Sequence, residues 1–365
     1  KNTNKNLNFK FYCFNEPTFI NLEKQKIFSK IIKYSYFNIF INKIMMSSFK
    51  TIFFKLLGIS HFEKVIINDK IDLVLFTHPS ADSMLLRKTN FIYTIWDMCH
   101  SDHPEFPEIR VNREYLSREN IYRLSCGTAT AILVESETTK NIISERYNIN
   151  KNKIFKINLY YNKFLNISEN PSEKIKNVIS KEYFFYPAQF WAHKNHIYIL
   201  NVLKKCKIKH NQVFNVVFTG SDMGNLQYIK DTVKEYNLDN QVFFLDFVSD
   251  ADLYHLYKRS KALVMPTFFG PSNIPPLEAI NLDVPVIYSN KEIVKEQFDG
   301  ATFEIDLENE DSLIDIFLNF KNKDNKILDK IKMYPKIKNK FSCEGNFYIL
   351  ENIINKFIKK RITWQ

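Results

Sequence analysis

Glycine is scarce in this chain, 7 of 365 residues, and alanine and arginine are few as well. Lys, Asn, Ile, Phe and Tyr take their place, a bias of the kind an AT-rich genome imposes, so no single Lys or Phe carries weight alone. No CxxC pair occurs. The five cysteines, Cys13, Cys99, Cys126, Cys206 and Cys343, are odd in number and far apart. That spacing fits neither a disulfide framework nor a zinc site and points to a reducing compartment. No apolar run reaches the roughly 18–20 residues that span a bilayer, and no signal peptide is visible. A cytoplasmic location is therefore expected. The chain opens on Lys1 rather than Met, as it would with a leading segment missing. The net charge of +11 comes with no zinc-finger, RNP-like or basic-helix signature, so nucleic acid is not an expected partner. Phosphate-bearing ligands and an anionic bilayer surface both suit that charge. No Asp-x-Asp pair precedes or follows a strand end in a metal-binding context, so neither a metal nor a cofactor is expected.

What is present is a steady alternation. Short apolar, β-branched or aromatic runs predict strands at 72–77, 91–95, 131–134 and 154–158, then at 183–186, 214–219, 241–247, 262–265 and 284–288. Helical patterns between them include 137–147, 196–205, 226–236 and 250–259. Such alternation predicts an α/β fold with parallel sheets covered by helices on both faces. It pauses at Tyr160–Lys181, a polar stretch with Asn170-Pro171 that reads as a linker. Two doubly wound, Rossmann-like domains facing a central cleft are expected, 1–165 and 182–340. Residues 341–365 are expected to form a C-terminal helix packing back toward the N-terminal domain. Ligands bind outside the carboxyl ends of the strands in such sheets. The segment 24–57 is rich in Phe, Ile, Tyr and Met and punctuated by lysines. A basic aromatic helix pair there suits peripheral contact with an anionic membrane surface; ordinary domain helices explain it equally well.

The most informative stretch is ALVMPTFFGPSNIPPLEAINLDVPVIYSN, Ala262–Asn290. A buried strand runs into a loop holding Gly270, Ser272 and Asn273, and a helix opens at Pro275-Pro276. Proline is tolerated there because the first helical amides lack partners anyway, and Ile274, before proline, is pushed out of helical geometry. A loop feeding a helix N-terminus is a ready anion site. The two prolines remove two donors, which leaves the amides of Ser272, Asn273 and Ile274. Glu278, in the first turn, would repel a phosphate and suits a ribose hydroxyl pair.

With YPAQFWAHKNH (186–196), VVFTG (216–220), VFFLDFVSDADLYHLYKRSKALVMPT (242–267) and GPSNIPPLEAINLDVPVI (270–287) in order, the chain resembles the retaining glycosyltransferases of family 4. These belong to glycosyl transferases group 1 and have the GT-B fold. Weaker matches, TIWDMCHSDHPEFPE (94–108) and ATAILVESETTKNIISERYNINKNKI (129–154), extend the resemblance upstream. Only about the first sixty residues are unmatched.

The resemblance implies that Glu278 holds the nucleotide ribose and Lys194 the diphosphate, a point-charge role suited to lysine. The family's first motif Glu falls on Gly270, its Arg on Gln189 and its N-domain His-Asp pair on Trp96-Asp97, with His100 three residues on. The implied catalytic set is Asp97, Lys194 and Glu278. Donor contacts would come from Gln189, Lys194, Gly220, Ser221, Phe247, Val248, Ser272, Asn273, Ile274 and Glu278, and acceptor contacts from Trp96, Asp97 and His100. The implied activity is metal-independent hexosyl transfer with retention, from a nucleotide-diphosphate sugar to a glycan or lipid-linked acceptor. Its setting would be bacterial surface polysaccharide or lipopolysaccharide synthesis.

Each residue also has a plainer role. Glu278 can stabilise its own helix, Lys194 can be solvated, Asp97 can cap the next segment, and one of His193 and His196 can simply pack. His100 and His103 lack further ligands for a metal. Ser136 is accounted for as a helix cap. The missing Glu, Arg and His keep two alternatives open: an inert sugar-nucleotide binding module and a nucleotide-sugar epimerase of the same fold.

Overall fold

Each of the nine strands read from buried runs is a strand in the computed structural model, which describes residues 7–24, 26–27, 29–46, 58–158, 164, 167, 169–270 and 274–364. By its internal contacts the chain divides into two compact units, 1–93 with 128–130, and 94–127 with 131–365.

In the first unit, β1 (Phe11–Cys13) and β2 (Ser29–Ile31) pair in parallel, and β3 (Leu73–Phe76) pairs in parallel with the start of β4 (Asn90–Ile95). Edge-to-face rings of Phe62, Phe76, Phe91 and Tyr93 fill the space beside β3. The helix His61–Asn68 is capped by Ser60. It carries the fully buried Glu63, which accepts the amides of Arg87, Lys88 and Thr89 at 2.8, 2.6 and 3.0 Å. The turn into β4 is thus held by one carboxylate. Of the basic aromatic segment, 25, 28 and 47–57 lie outside the described residues; the rest includes β2 and a helix, Tyr36–Met45.

The second unit holds β5 (Ala131–Val134) paired in parallel with β6 (Ile154–Lys156). It also holds a six-stranded parallel sheet of β7 (Phe184–Pro187), β8 (Val216–Thr219), β9 (Val242–Phe244), β10 (Leu263–Met265), β11 (Val286–Ser289) and β12 (Phe303–Ile305). Its order is β12-β11-β10-β7-β8-β9. The first two strands in chain order, β7 and β8, are neighbours, and the fourth, β10, lies on the other side of β7. Direction therefore reverses between β7 and β10, and such a sheet leaves a crevice at that switch point, beyond the carboxyl ends of those two strands. The inner strands β8, β10 and β11 are buried on both faces, which is why they read as continuous apolar runs. The helix Asp311–Lys321 covers one face, with Phe317 stacked on Phe184 at 3.8 Å.

Two sequence expectations change. The stretch 241–247 yields only β9, because Leu245 donates to Phe218 as the last ladder bond and Asp246 turns the chain at φ 41°. The linker read at 160–181 lies partly outside the described residues (160–163, 165–166, 168). Its described part forms a helix, Glu173–Ile179, with Ile175 and Val178 buried. Asp252 docks that helix by accepting from the amide and hydroxyl of Ser172, each at 2.8 Å. At the end of the chain, the helix Cys343–Arg361 meets the exit of β6, where Asn346 accepts from the Asn158 amide at 2.8 Å. Among the described residues no helix is long and apolar enough to cross a membrane.

Candidate active site

At the switch point, β7 ends in Pro187 and the chain makes a short 3-10 turn, Ala192–Lys194. Asn195 closes it in the left-handed region at φ 55°, a conformation asparagine adopts more readily than most residues. The helix His196–Lys209 follows. The turn is anchored on both sides: the Tyr186 hydroxyl donates to the Lys194 carbonyl at 2.8 Å, and the His193 carbonyl accepts from the Phe268 amide at 2.9 Å. On the far side of β7, Gly220 is required for close approach, since a Cβ there would lie 2.4 Å from the Ala188 carbonyl oxygen. These constraints build the wall of a pocket of about 890 Å³. One side is formed by Asp97, Pro107–Ile109, Val111, Glu114 and Arg118, and the other by Pro187–Gln189, Trp191–Lys194, Met223–Asn225, Met265, Phe269, Gly270 and Pro275. All of it belongs to the second unit.

Two cations line this pocket, Arg118, which is paired with Asp97, and Lys194. Burial lowers the pKa of Lys194 to about 8, against the pull of Cys99, Asp97 and Glu108, and it forms no ion pair among the described residues. The empty space in front of it exists because position 270 is glycine, at φ 92°. A Cβ on Gly270 would stand 3.1 Å from Lys194 Nζ and 3.6 Å from His193 Nε2. His193 is held hard. Glu108 Oε1 accepts from its backbone amide at 3.0 Å and pairs with its ring Nδ1, and Phe269 stacks on its face at 4.0 Å. Burial first, then the charge of Lys194, pushes its pKa below the ordinary imidazole value against the pull of Glu108, which favours the neutral ring.

Asp97 is engaged. Its Oδ1 accepts from Arg118 at 2.6 Å and from the Cys99 amide at 3.0 Å, and Arg118 also reaches the Tyr122 hydroxyl at 3.0 Å. Asp97 therefore faces the pocket as a neutralised, fixed acceptor. Gln189 lines the pocket and accepts from the Trp191 indole at 3.0 Å.

Other sequence candidates lie outside the lining. His100 is fully buried, on Glu119 at 3.2 Å with its ring against Tyr122. Trp96 is half-buried. Glu278 is buried and accepts from the Tyr257 hydroxyl at 2.7 Å. Gly220 and Ser221 serve the backbone around 188–190: Gly220 donates to Asp246, and the Ser221 carbonyl accepts from the Phe190 amide, each at 3.0 Å. Phe247 is 78% exposed and Val248 is buried. Ile274 opens the helix Ile274–Asn281. Ser272 and Asn273 lie outside the described residues.

The sequence places the loop His103–Glu108 at the crevice, and Glu108 does line the pocket; Arg118, the pairing of Glu108 with His193 and the strength of that anchoring go beyond the sequence reading. Arg110, Arg113, Arg118 and Arg123 crowd one short segment of an arginine-poor chain, and that clustering was the available signal. Among the described residues no group of three or more His, Cys, Asp or Glu is arranged to hold a metal ion.

Residues 168–332 match the family model of glycosyl transferases group 1. The O-antigen chain mannosyltransferase RfbU of Salmonella typhimurium is 26% identical over 207 residues, 57% of this chain and 55% of its own length. The chain thus spans about half of that curated relative. Among solved structures, Anabaena HepE, crystallised with UDP-glucose, superposes with a TM-score of 0.69 at 12% identity, covering 96% of this chain and 91% of HepE. A glycosyltransferase from Rickettsia africae superposes at 0.64 with 15% identity, covering 94% of this chain and 90% of the other. Residues 168–332 are thus similar to glycosyl transferases group 1, and the chain shares the GT-B fold of these structures.

Proposed function

We propose that this protein is a glycosyltransferase that moves a hexose, with retention and without a metal, from a nucleotide-diphosphate sugar to a glycan or lipid-linked acceptor of a surface polysaccharide. The observation that carries this reading is Lys194: a half-buried ammonium, in no ion pair among the described residues, on the wall of a large pocket at the switch point of a parallel sheet. A diphosphate supplies the missing anion. In the reaction the acceptor oxygen bonds to the anomeric carbon on the face the diphosphate leaves. The bond from that carbon to the diphosphate oxygen breaks with its electrons, and the acceptor proton passes to the departing phosphate. Lys194 meets the charge that grows on the leaving group, which is electrostatic stabilisation in a largely dry site. Glu278, brought to the same end of the sheet, is assigned to the ribose.

The acceptor is assigned to the side walled by Asp97 and Arg118. Work at the cytoplasmic face of a membrane is supported by the helix Tyr36–Met45, whose Tyr36, Phe37 and Phe40 are 94%, 70% and 60% exposed beside lysines. One observation favours a second reading, an inert sugar-nucleotide binder: glycine at 270 leaves that position without a carboxylate.

Incubation with a panel of UDP-, GDP-, ADP-, CDP- and dTDP-sugars, with and without lipid-linked or glycan acceptors, decides between them. Acceptor-dependent release of nucleotide supports transfer, and binding without turnover supports the inert module. Isomerisation without acceptor supports an epimerase. For the transferase, kcat/KM should fall as pH rises through about 8, where free Lys194 loses its proton. Lys194→Ala should lower kcat by roughly 10²–10³ with a smaller effect on donor affinity. Equal losses in both would reduce Lys194 to a ground-state anchor.

A further inference from the structure

His193 and Glu108 are more elaborately held than a wall residue needs to be. Glu108 Oε1 binds both the backbone amide and the ring Nδ1 of His193. The His193 carbonyl takes the Phe268 amide at 2.9 Å and the Thr267 hydroxyl at 3.2 Å. Phe269 lies flat on the imidazole, with planes 9° apart, and His103 stacks on Phe269 at 5.4 Å. Position, tautomer and ring plane are all fixed. With Nδ1–H directed at the carboxylate, the second nitrogen, Nε2, is left as an acceptor. It faces the space that Gly270 keeps clear, and Lys194 Nζ borders the same space.

We propose that His193 Nε2 accepts a hydrogen bond from one hydroxyl of the transferred sugar, with Glu108 as the positioning residue that sets its tautomer, so that this pair selects the donor sugar. The assignment rests on the transferase reading, because it takes Lys194 as the diphosphate contact. The sugar is bonded directly to the terminal phosphate. A ligand whose phosphate sits at Lys194 therefore carries its ring into the space bordered by Nε2. No carboxylate side chain can occupy that space from position 270. A neutral imidazole backed by a carboxylate is a good acceptor for a neutral hydroxyl, and a buried acceptor left unpaired rejects a donor lacking that hydroxyl.

The test compares the sugar nucleotide found active in the panel with its monodeoxy analogues. Wild type should lose about 100-fold or more in kcat/KM on one deoxy donor. His193→Ala should be slow with the normal donor and discriminate that deoxy donor by no more than about threefold. Glu108→Gln should weaken the same discrimination by a larger factor than it changes affinity for the nucleoside diphosphate. His193→Gln, checked by thermal melting, stands in if the alanine variant does not fold. In ¹⁵N-histidine spectra of the intact chain, the His193 ring resonances should shift with the sugar nucleotide and not with the nucleoside diphosphate alone. Wild-type discrimination retained in His193→Ala, or equal shifts with both ligands, overturns the assignment and leaves transfer standing. Failure of the wild type to bind any sugar nucleotide of the panel sinks both.

Discussion

Glu135 shows what burial does to a single group. It stands directly after β5 and is 2% exposed, with the Gln297 side chain beside it. Burial first, and the charge of Asp97 second, raise its pKa to about 8. A folded-state value above the unfolded one means that the native state holds its proton more tightly. The resulting stability is complete below the ordinary carboxyl range and is lost as pH rises to about 8, at about 1.4 kcal/mol per unit. Glu135→Gln stays neutral throughout. Its melting temperature relative to wild type should therefore climb between pH 5 and pH 8 and level off above. A difference that stays flat over that interval would mean that Glu135 is charged and solvated in the native state. The sequence places Glu135 in VESE beside the helix cap Ser136, and nothing in that local pattern distinguishes a buried acid from a solvated one. Lys194 was legible only because YPAQFWAHKNH resembles a motif of a known family.

Elements were legible where one local rule dictates them. Ser136 caps the helix Glu137–Tyr147 with a bond to the Thr139 amide at 2.9 Å, and Ser249 caps Asp250–Arg259 in the same way. Strands β1 and β2 are mostly half-buried or exposed rather than buried apolar runs, so they escape a sequence reading. The partners of the helix Glu137–Tyr147 escape it as well. Glu296 accepts the amides of Glu137 at 2.8 Å and Thr138 at 3.2 Å, and the Lys156 ammonium at 2.5 Å. A carboxylate at a helix N-terminus meets both the free amides and the dipole, and here it comes from 159 positions away. Glu296→Ala would leave two amides and a lysine without it. A loss of about 2 kcal/mol is expected, read as a melting temperature roughly 3 °C lower. Glu296→Gln should recover less than half of that, because it restores an acceptor without the charge. An alanine variant as stable as wild type would show that water replaces the carboxylate at no cost.

At the scale of the molecule, the fold was legible because a parallel sheet buried on both faces writes itself as apolar runs of nearly fixed spacing. The site was legible only in part. Lys194 and Gly270 sit in contiguous motifs, whereas Glu108 and His193 meet across 85 residues, a pairing only the fold creates. The division into two units gives a last expectation. Every residue lining the pocket, and the Glu108–His193 pair, belongs to 94–127 or 131–365. A nucleoside diphosphate that binds there stabilises the native state by mass action, about 2.7 kcal/mol at a hundredfold excess over Kd. It can do so only by holding the segments it touches. Hydrogen exchange with and without the tightest-binding member of a UDP, GDP, ADP, CDP and dTDP panel should therefore show slowed amides around 187–195, 220–225 and 265–270. The amides of β1, β2 and the helix His61–Asn68 should keep their rates. Protection concentrated in 7–93 would move the nucleotide site into the first unit and with it the assignment of Lys194.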